Sequence, residues 1–369
     1  MTEISEDVKT LAYKNTNGLT IYLDIYPPPS DGTRTAPLPG VVYFHGGALT
    51  VGNRKSWFPS WLHSRVIRLG VAFISVDYRI IPPATGHDIL DDIKDVFNFL
   101  EQDVNRVIRE LWMASSRTGR AFQIDPQRLA VSGSSAGGLC AYLAAIHANP
   151  RPKAVLSLYG MGGDMLTSHY LAPKCVPFFR GREILDPNDF LQYLYPSCQE
   201  LQSTSDSPLA YHPPTYIIPG YPANPRMLLG RLYLQLGTFL DYYTGCHSPS
   251  LSATLRQQLL ALPTGSSSIP DAQLHLFPQF KISSALPPMY LIHGSADTAV
   301  LVRESRNLLA LLHDAGVPAQ LVIVEGKEHS FDYEPRAEEE FGHPGGLFDQ
   351  AIRFLEEALL TSSTLARSG

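Results

Sequence analysis

The sequence has no long apolar run, few charged residues and only four cysteines, and each shortage removes a class of protein. No stretch reaches the length of a membrane span, and the first ten residues, MTEISEDVKT, are polar and acidic rather than the start of a signal peptide. A soluble, cytoplasmic protein without stable membrane anchoring is therefore expected. Cys140, Cys175, Cys198 and Cys246 lie at wide, irregular spacing that fits neither a zinc site nor a disulfide scaffold, and no Asn-x-Ser/Thr acceptor occurs. Free thiols in a reducing compartment follow. Charged residues are 17% of the chain and apolar residues 44%, which excludes a disordered polymer. Lys and Arg number 29 against 35 Asp and Glu, with no long run of one sign, so no footprint for nucleic acid or acidic lipid is present. A small-molecule substrate is the expected partner, and nothing specifies an oligomeric state. The H-E-x-x-H pattern is absent and no cofactor motif is found, so neither metal nor cofactor is expected.

What is present alternates. A hairpin is expected from Leu11–Lys14 and Leu19–Tyr26 around Asn15–Gly18. Continuous apolar strands of the doubly buried kind follow at Gly40–Phe44, Val71–Val76, Arg128–Ser132, Ala154–Tyr159, Met289–His293 and Gln320–Val324. Between them lie helical patterns around Trp57–Leu69, from Asp88 through Leu111 as one long helix, at Ala136–Ala148, around Val302–His313, and a closing helix carrying Phe348, Ile352, Leu355 and Leu359 on one face. Strands alternating with helices predict an α/β fold, a mostly parallel central sheet flanked by helices on both faces.

The alternation fails between residues 164 and 280, which hold 14 of the 30 prolines and 15 of the 34 Phe and Tyr residues. A linker would be poor in aromatics. The segment is read as an ordered insertion, a cap or lid, with helical stretches near Met227–Tyr243 and Ser250–Leu262 and a loop at Pro263–Pro270. Residues 1–163 and 281–369 then form the catalytic body.

Gly133-Ser134-Ser135-Ala136-Gly137 matches G-x-S-x-G where that motif must sit, after a strand and opening a helix. Glycines allow the sharp, strained turn that lifts a serine hydroxyl clear of a sheet. Ser135 is the candidate nucleophile. A hydroxyl needs a base to take its proton and a carboxylate to orient that base. Two late strands run into loops that supply them, Asp297 after Met289–His293 and His329 after Gln320–Val324. His293, His343 and Glu328 are weaker rivals for these roles by placement. His45-Gly46-Gly47-Ala48 follows an early buried strand, so the Gly46 and Gly47 N–H groups, with that of Ala136, are candidate donors of an oxyanion hole.

With these motifs in order, the chain resembles the α/β-hydrolase family, and within it the hormone-sensitive-lipase-like carboxylesterases. The resemblance rests on His45-Gly46-Gly47 for H-G-G-G, Asp77-Tyr78-Arg79 for D-Y-R, Gly133 to Gly138 for G-x-S-A-G-G, and the Asp297 and His329 segments. It implies the α/β-hydrolase fold and a serine hydrolase cleaving an ester, lactone or thioester of a mainly apolar small molecule. An acyltransferase, cyclase or lyase using the same triad, and a non-catalytic receptor on the same fold, remain alternatives. Ala48 stands where the family carries a third glycine, a departure at one end of the hole. Asp88, Asp91 and Asp92 beside His87 are read as structural acids of a helix start rather than as a metal site.

Overall fold

Doubly buried strands build the sheet in the computed structural model, which describes residues 8–29, 36–114, 122–261 and 269–361. The strands are β1 (Lys9–Thr16), β2 (Leu19–Tyr26), β3 (Leu38–Phe44), β4 (Ala72–Val76), β5 (Ile124–Ser134), β6 (Val155–Leu158), β7 (Met289–Gly294) and β8 (Ala319–Val324). They lie in the order β1-β2-β4-β3-β5-β6-β7-β8. The expected hairpin forms at Asn17-Gly18, both at positive φ, and β2 pairs antiparallel with β4; every pairing from β4 to β8 is parallel. The connection after β3 runs outward to β4, and the next one crosses back to β5 on the other side of β3. Reversal of the winding direction leaves a crevice beyond the carboxyl ends of β3 and β5, the usual place for a ligand in such a sheet.

The helices are α1 (Ser60–Arg68), α2 (Gly86–Gln102), α3 (Val104–Ala114), α4 (Ala136–His147), α5 (Ser168–Leu171), α6 (Arg226–Leu236), α7 (Phe239–Thr244), α8 (Leu251–Ala261), α9 (Arg303–Asp314), α10 (Ala337–Phe341) and α11 (Leu347–Leu360). Alternation along β3 decides which helix covers which face. Val41 and Tyr43 pack with Leu62 and Val66 of α1 and Phe348, Ile352 and Leu355 of α11. Val42 and Phe44 pack with Ile89, Ile93 and Val96 of α2 and Leu139 and Leu143 of α4. Both faces are dry, which is why these strands read as continuous apolar runs.

Two expectations change. The single helix over Asp88–Leu111 is two, because Asp103 opens to φ −118° and α3 restarts with Asn105 exchanging hydrogen bonds with the Ile124 N–H and C=O (2.8 and 2.9 Å). Leu111 is consequently exposed rather than on the buried face. The helical stretch Met227–Tyr243 breaks at Gly237, whose left-handed φ of 64° ends α6. The expected helix Ser250–Leu262 is described as far as Ala261, and residues 262–268, most of the Pro263–Pro270 loop, lie outside the described residues. The chain leaves the sheet after Leu158 and rejoins it at Met289, with α5 to α8 between.

The D-Y-R segment holds the fold around β4. Asp77 pairs with Arg54, and the Tyr78 hydroxyl donates to the His45 carbonyl at 2.7 Å. Arg79 binds Asp92 through its backbone N–H (2.9 Å) and guanidinium (2.9–3.1 Å), and Lys14 joins the same carboxylate at 2.7 Å. Asp88 caps the start of α2 by accepting from the Thr85 N–H at 2.8 Å. Asp88 and Asp92 are thus engaged in a helix cap and in buried ion pairs. Asp92→Ala, which removes the fully buried carboxylate shared by Arg79 and Lys14 and leaves them only Asp88 and Asp95, should cost about 1.5–3 kcal/mol of unfolding free energy in urea titration. The same measurement on exposed Asp91→Ala should stay within about 0.5 kcal/mol.

Candidate active site

Ser135 joins β5 to α4 with φ 55° and ψ −121°, a conformation that costs a non-glycine residue about 1–3 kcal/mol. Close backbone approaches hold it there. A Cβ on Gly133 would lie 2.0 Å from the Gly137 carbonyl oxygen, and one on Gly137 would lie 2.0 Å from the Phe44 oxygen. The Ser135 N–H donates to Leu158 O at 2.9 Å, and its carbonyl accepts from the N–H groups of Gly138 and Met161. The turn is thus locked to both neighbouring strands.

The loop after β3 packs directly on that turn. A Cβ on Gly46 would meet the Ser134 carbonyl oxygen at 3.1 Å and the Ser135 Cβ at 3.3 Å, a tight fit that glycine avoids. The His45 Nδ1–H donates to the Gly46 carbonyl at 2.7 Å, and its ring stacks on Tyr78 at 4.4 Å. Burial pushes the His45 imidazole down to about 4, against the pull of the Gly46 carbonyl, so the ring is neutral at physiological pH. Because the peptide is trans, pinning the Gly46 carbonyl turns the Gly47 N–H the opposite way. Among the described residues, neither the Gly46 nor the Gly47 N–H donates to a loop or turn carbonyl. Ala48 adopts a left-handed φ of 52°, the geometry its glycine-rich neighbours predict, and its methyl sits against Gly230 of α6. The glycine missing from the loop is matched by one in the helix above it.

Asp297 and His329 meet at the rim. Asp297 Oδ2 accepts from His329 Nδ1 at 2.6 Å, and Oδ1 accepts from the N–H groups of Ala299 and Val300 at 2.9 Å each. Burial alone would raise the Asp297 carboxyl, but the charge and hydrogen bonds of His329 and His293 outweigh it and hold the group well below the usual carboxylate range. Ser135 and His329 border one cavity of about 240 Å³, along with Gly46 and Gly47. No hydrogen bond joins Ser135 Oγ to the imidazole among the described residues; such bonds are commonly loose before a substrate is bound.

The rivals separate cleanly. His293 is buried between Ser305 Oγ and the Val300 carbonyl and lies 3.2 Å from the same Asp297 oxygen, a brace on the acid. His343 is exposed on the surface. The Glu328 carboxylate binds the Thr298 N–H at 2.9 Å and the His329 N–H at 2.5 Å, tying the Asp297 loop to the His329 loop. Sequence reasoning missed Tyr159 and Asp332. The Tyr159 ring stands edge-on to His329 at 4.6 Å, and its hydroxyl donates at 2.6 Å to buried Asp332, which Trp61 Nε1 also binds. An aspartate three residues beyond the histidine was the available signal.

Comparison with known proteins agrees with this layout. A family model described as alpha/beta hydrolase fold matches residues 41–218, and a prolyl oligopeptidase family model matches residues 270–352, the part carrying Asp297 and His329. The chain is 26% identical over 298 residues to "Probable carboxylesterase M8" of a Phoma species, covering 80% of this chain and 79% of that protein. It is 25% identical over 337 residues to the non-reducing polyketide synthase ausA of Aspergillus calidoustus; that covers 88% of this chain but only 13% of the synthase. Among solved structures, an alpha/beta hydrolase superfamily protein from Enterococcus faecalis matches with a TM-score of 0.58 at 17% identity, over 96% of this chain and 99% of that one. Esterase 2 of Thermogutta terrifontis phosphorylated by paraoxon gives 0.53 at 16% identity, over 97% of each chain. The chain has the α/β-hydrolase fold. In sequence it is similar both to a carboxylesterase over most of that protein and to a short segment of polyketide synthases. No helix among the described residues is long and apolar enough to cross a membrane.

The Ala48 and Gly230 contact makes a checkable pair. A Cβ on Gly230 would fall 2.3 Å from the Ala48 Cβ, so Gly230→Ala should destabilise by about 1–3 kcal/mol in denaturant titration. Adding Ala48→Gly should recover most of that loss. Additive losses in the double variant would contradict the contact.

Proposed function

We propose that the protein cleaves a carboxylic ester, lactone or thioester of a mainly apolar small molecule through an acyl-enzyme on Ser135. The observation that carries this reading is the bond from His329 to a buried, ionised Asp297 at the edge of the cavity that the strained Ser135 turn borders. His329 Nε2 takes the proton of Ser135 Oγ as the oxygen attacks the carbonyl carbon, and returns it to the leaving group. Asp297 holds the ring in the tautomer with its proton on Nδ1 and stabilises the imidazolium. The N–H groups of Gly46, Gly47 and Ala136 bind the oxyanion, a role whose loss costs roughly 10²–10³ in rate where one donor is removed. Water then takes the acyl group from Ser135.

Segment 164–280 acts as a cap over this site. Support comes from α6, whose Met227, Leu228 and Leu234 border the cavity with Tyr170 and Phe239, an apolar lining suited to an apolar group. Similarity to a segment of polyketide synthases favours the form of this reading in which the acyl donor is a thioester.

Labelling by a fluorophosphonate should occur in the native protein and vanish in Ser135→Ala, and native protein that stays unlabelled would favour a binding protein on this fold. With a p-nitrophenyl ester, Asp297→Asn should lower kcat by roughly 10³–10⁴-fold. Since Asp297 is held ionised far below neutral pH, only protonation of the base should shut the reaction off toward acid, giving log kcat/KM a limb of unit slope. A limb of slope two would show a second titrating group.

A further inference from the structure

Among the described residues the cavity is lined by three arginines, Arg180, Arg182 and Arg231, and by no Asp or Glu. Two of them stand apart from the third. Arg180 lies 3.7 Å from Glu328, which offsets its charge. Arg182 is exposed and its guanidinium binds no acid among the described residues. Arg231 is 8% exposed, yet its guanidinium makes no hydrogen bond or ion pair among the described residues, and its Nε is sealed from solvent with no acceptor.

The contrast with Arg226, on the same helix and equally buried, is direct. The Arg226 guanidinium donates to the carbonyls of Thr50, Ile81 and Pro82 at 2.7–3.3 Å and stacks over Tyr193. It is a satisfied structural cation. Arg231 sits on the stripe of α6 that faces the cavity, next to Gly230, which touches the loop of Gly46 and Gly47 through Ala48. Burial pushes the Arg231 guanidinium below its ordinary value, and the neighbouring charge of Arg182 pushes it the same way; Tyr221 and exposed Glu183 act in the opposite sense. A buried guanidinium without partners is costly, and an anion arriving with its own acceptors removes that cost.

We propose that Arg231, with Arg182 beside it, is an anion-binding subsite of the cavity, so that the favoured substrate carries a carboxylate or phosphate on an otherwise apolar frame. The inference rests on the hydrolase reading and deepens it. Arg231 is a specificity residue: it holds a charged end of the substrate and takes no part in proton transfer. A guanidinium fork suits the two or three oxygens of either anion.

The test compares matched esters hydrolysed by the full chain. For a carboxylate, p-nitrophenyl hydrogen glutarate is set against p-nitrophenyl pentanoate; for a phosphate, a butanoyl ester of glycerol phosphate is set against the same ester of glycerol. At least one anionic member should be preferred in kcat/KM, and the arm that shows the preference identifies the anion. In Arg231→Gln the anionic-to-neutral ratio of that pair should fall roughly 10- to 100-fold. Arg231→Lys should restore part of it, and Arg182→Gln, at an exposed position, should lower it less. Added salt should erode the native ratio. Hydrolysis of the neutral esters with no anionic preference, or a ratio that Arg231→Gln leaves unchanged, overturns the subsite and leaves the hydrolase reading standing. If the native protein cleaves no ester and takes no fluorophosphonate, the hydrolase reading fails and the subsite falls with it.

Discussion

The site depends on backbone meeting backbone at the carboxyl ends of β3 and β5. Gly137, at the first turn of α4, lies against the carbonyl of Phe44, and Gly133 lies against the carbonyl of Gly137. No side chain larger than hydrogen fits either contact. Their joint effect is to bring the His45–Ala48 loop onto the Ser135 turn and to keep Ser135 at a positive φ that an isolated chain would abandon. Strain of about 1–3 kcal/mol is small against the register that opposes its release, since Ser132, Gly133 and Ser134 are paired with β6 and Gly133 also with Phe44.

Electrostatics is arranged around that frame by controlling which buried groups carry charge. His45 is kept neutral, so it orients a peptide without adding charge to the loop. Asp297 is kept ionised by the N–H groups of Ala299 and Val300 and by two imidazoles, and its charge falls on the ring that borders the cavity. For Asp332 burial raises the carboxyl, and the Tyr159 and Trp61 donors oppose that shift. Of the three arginines at the cavity, Arg182 and Arg231 meet no acid among the described residues, and Tyr170, Phe239 and Leu234 supply apolar lining beside them.

Much of this was legible because its causes are local. Continuous apolar runs with no alternation announce strands covered on both faces, and β3, β5 and β7 fell where they were read. Ser135, Asp297 and His329 each follow a strand end, so one topological argument singled out three residues that the fold brings to the same edge of the sheet. The breaks at Asp103 and Gly237 were harder, since the apolar period continues across both while the cause is tertiary for one and a single cap residue for the other. Ala48 looked like a flaw until Gly230, 182 residues later, was found against it. Tyr159, Asp332 and the unpaired state of Arg231 were invisible for the same reason: partners, or their absence, are set by the packing of distant segments.

The most direct test is a crystal structure of the protein reacted with a phosphonate ester. The account predicts phosphorus bonded to Ser135 Oγ, a phosphonyl oxygen about 2.7–3.1 Å from the N–H groups of Gly46 or Gly47 and of Ala136, and His329 Nε2 within hydrogen-bond reach of Oγ or the leaving-group side. Phosphorus on another residue, or a phosphonyl oxygen turned away from that loop with the imidazole out of reach, would contradict it.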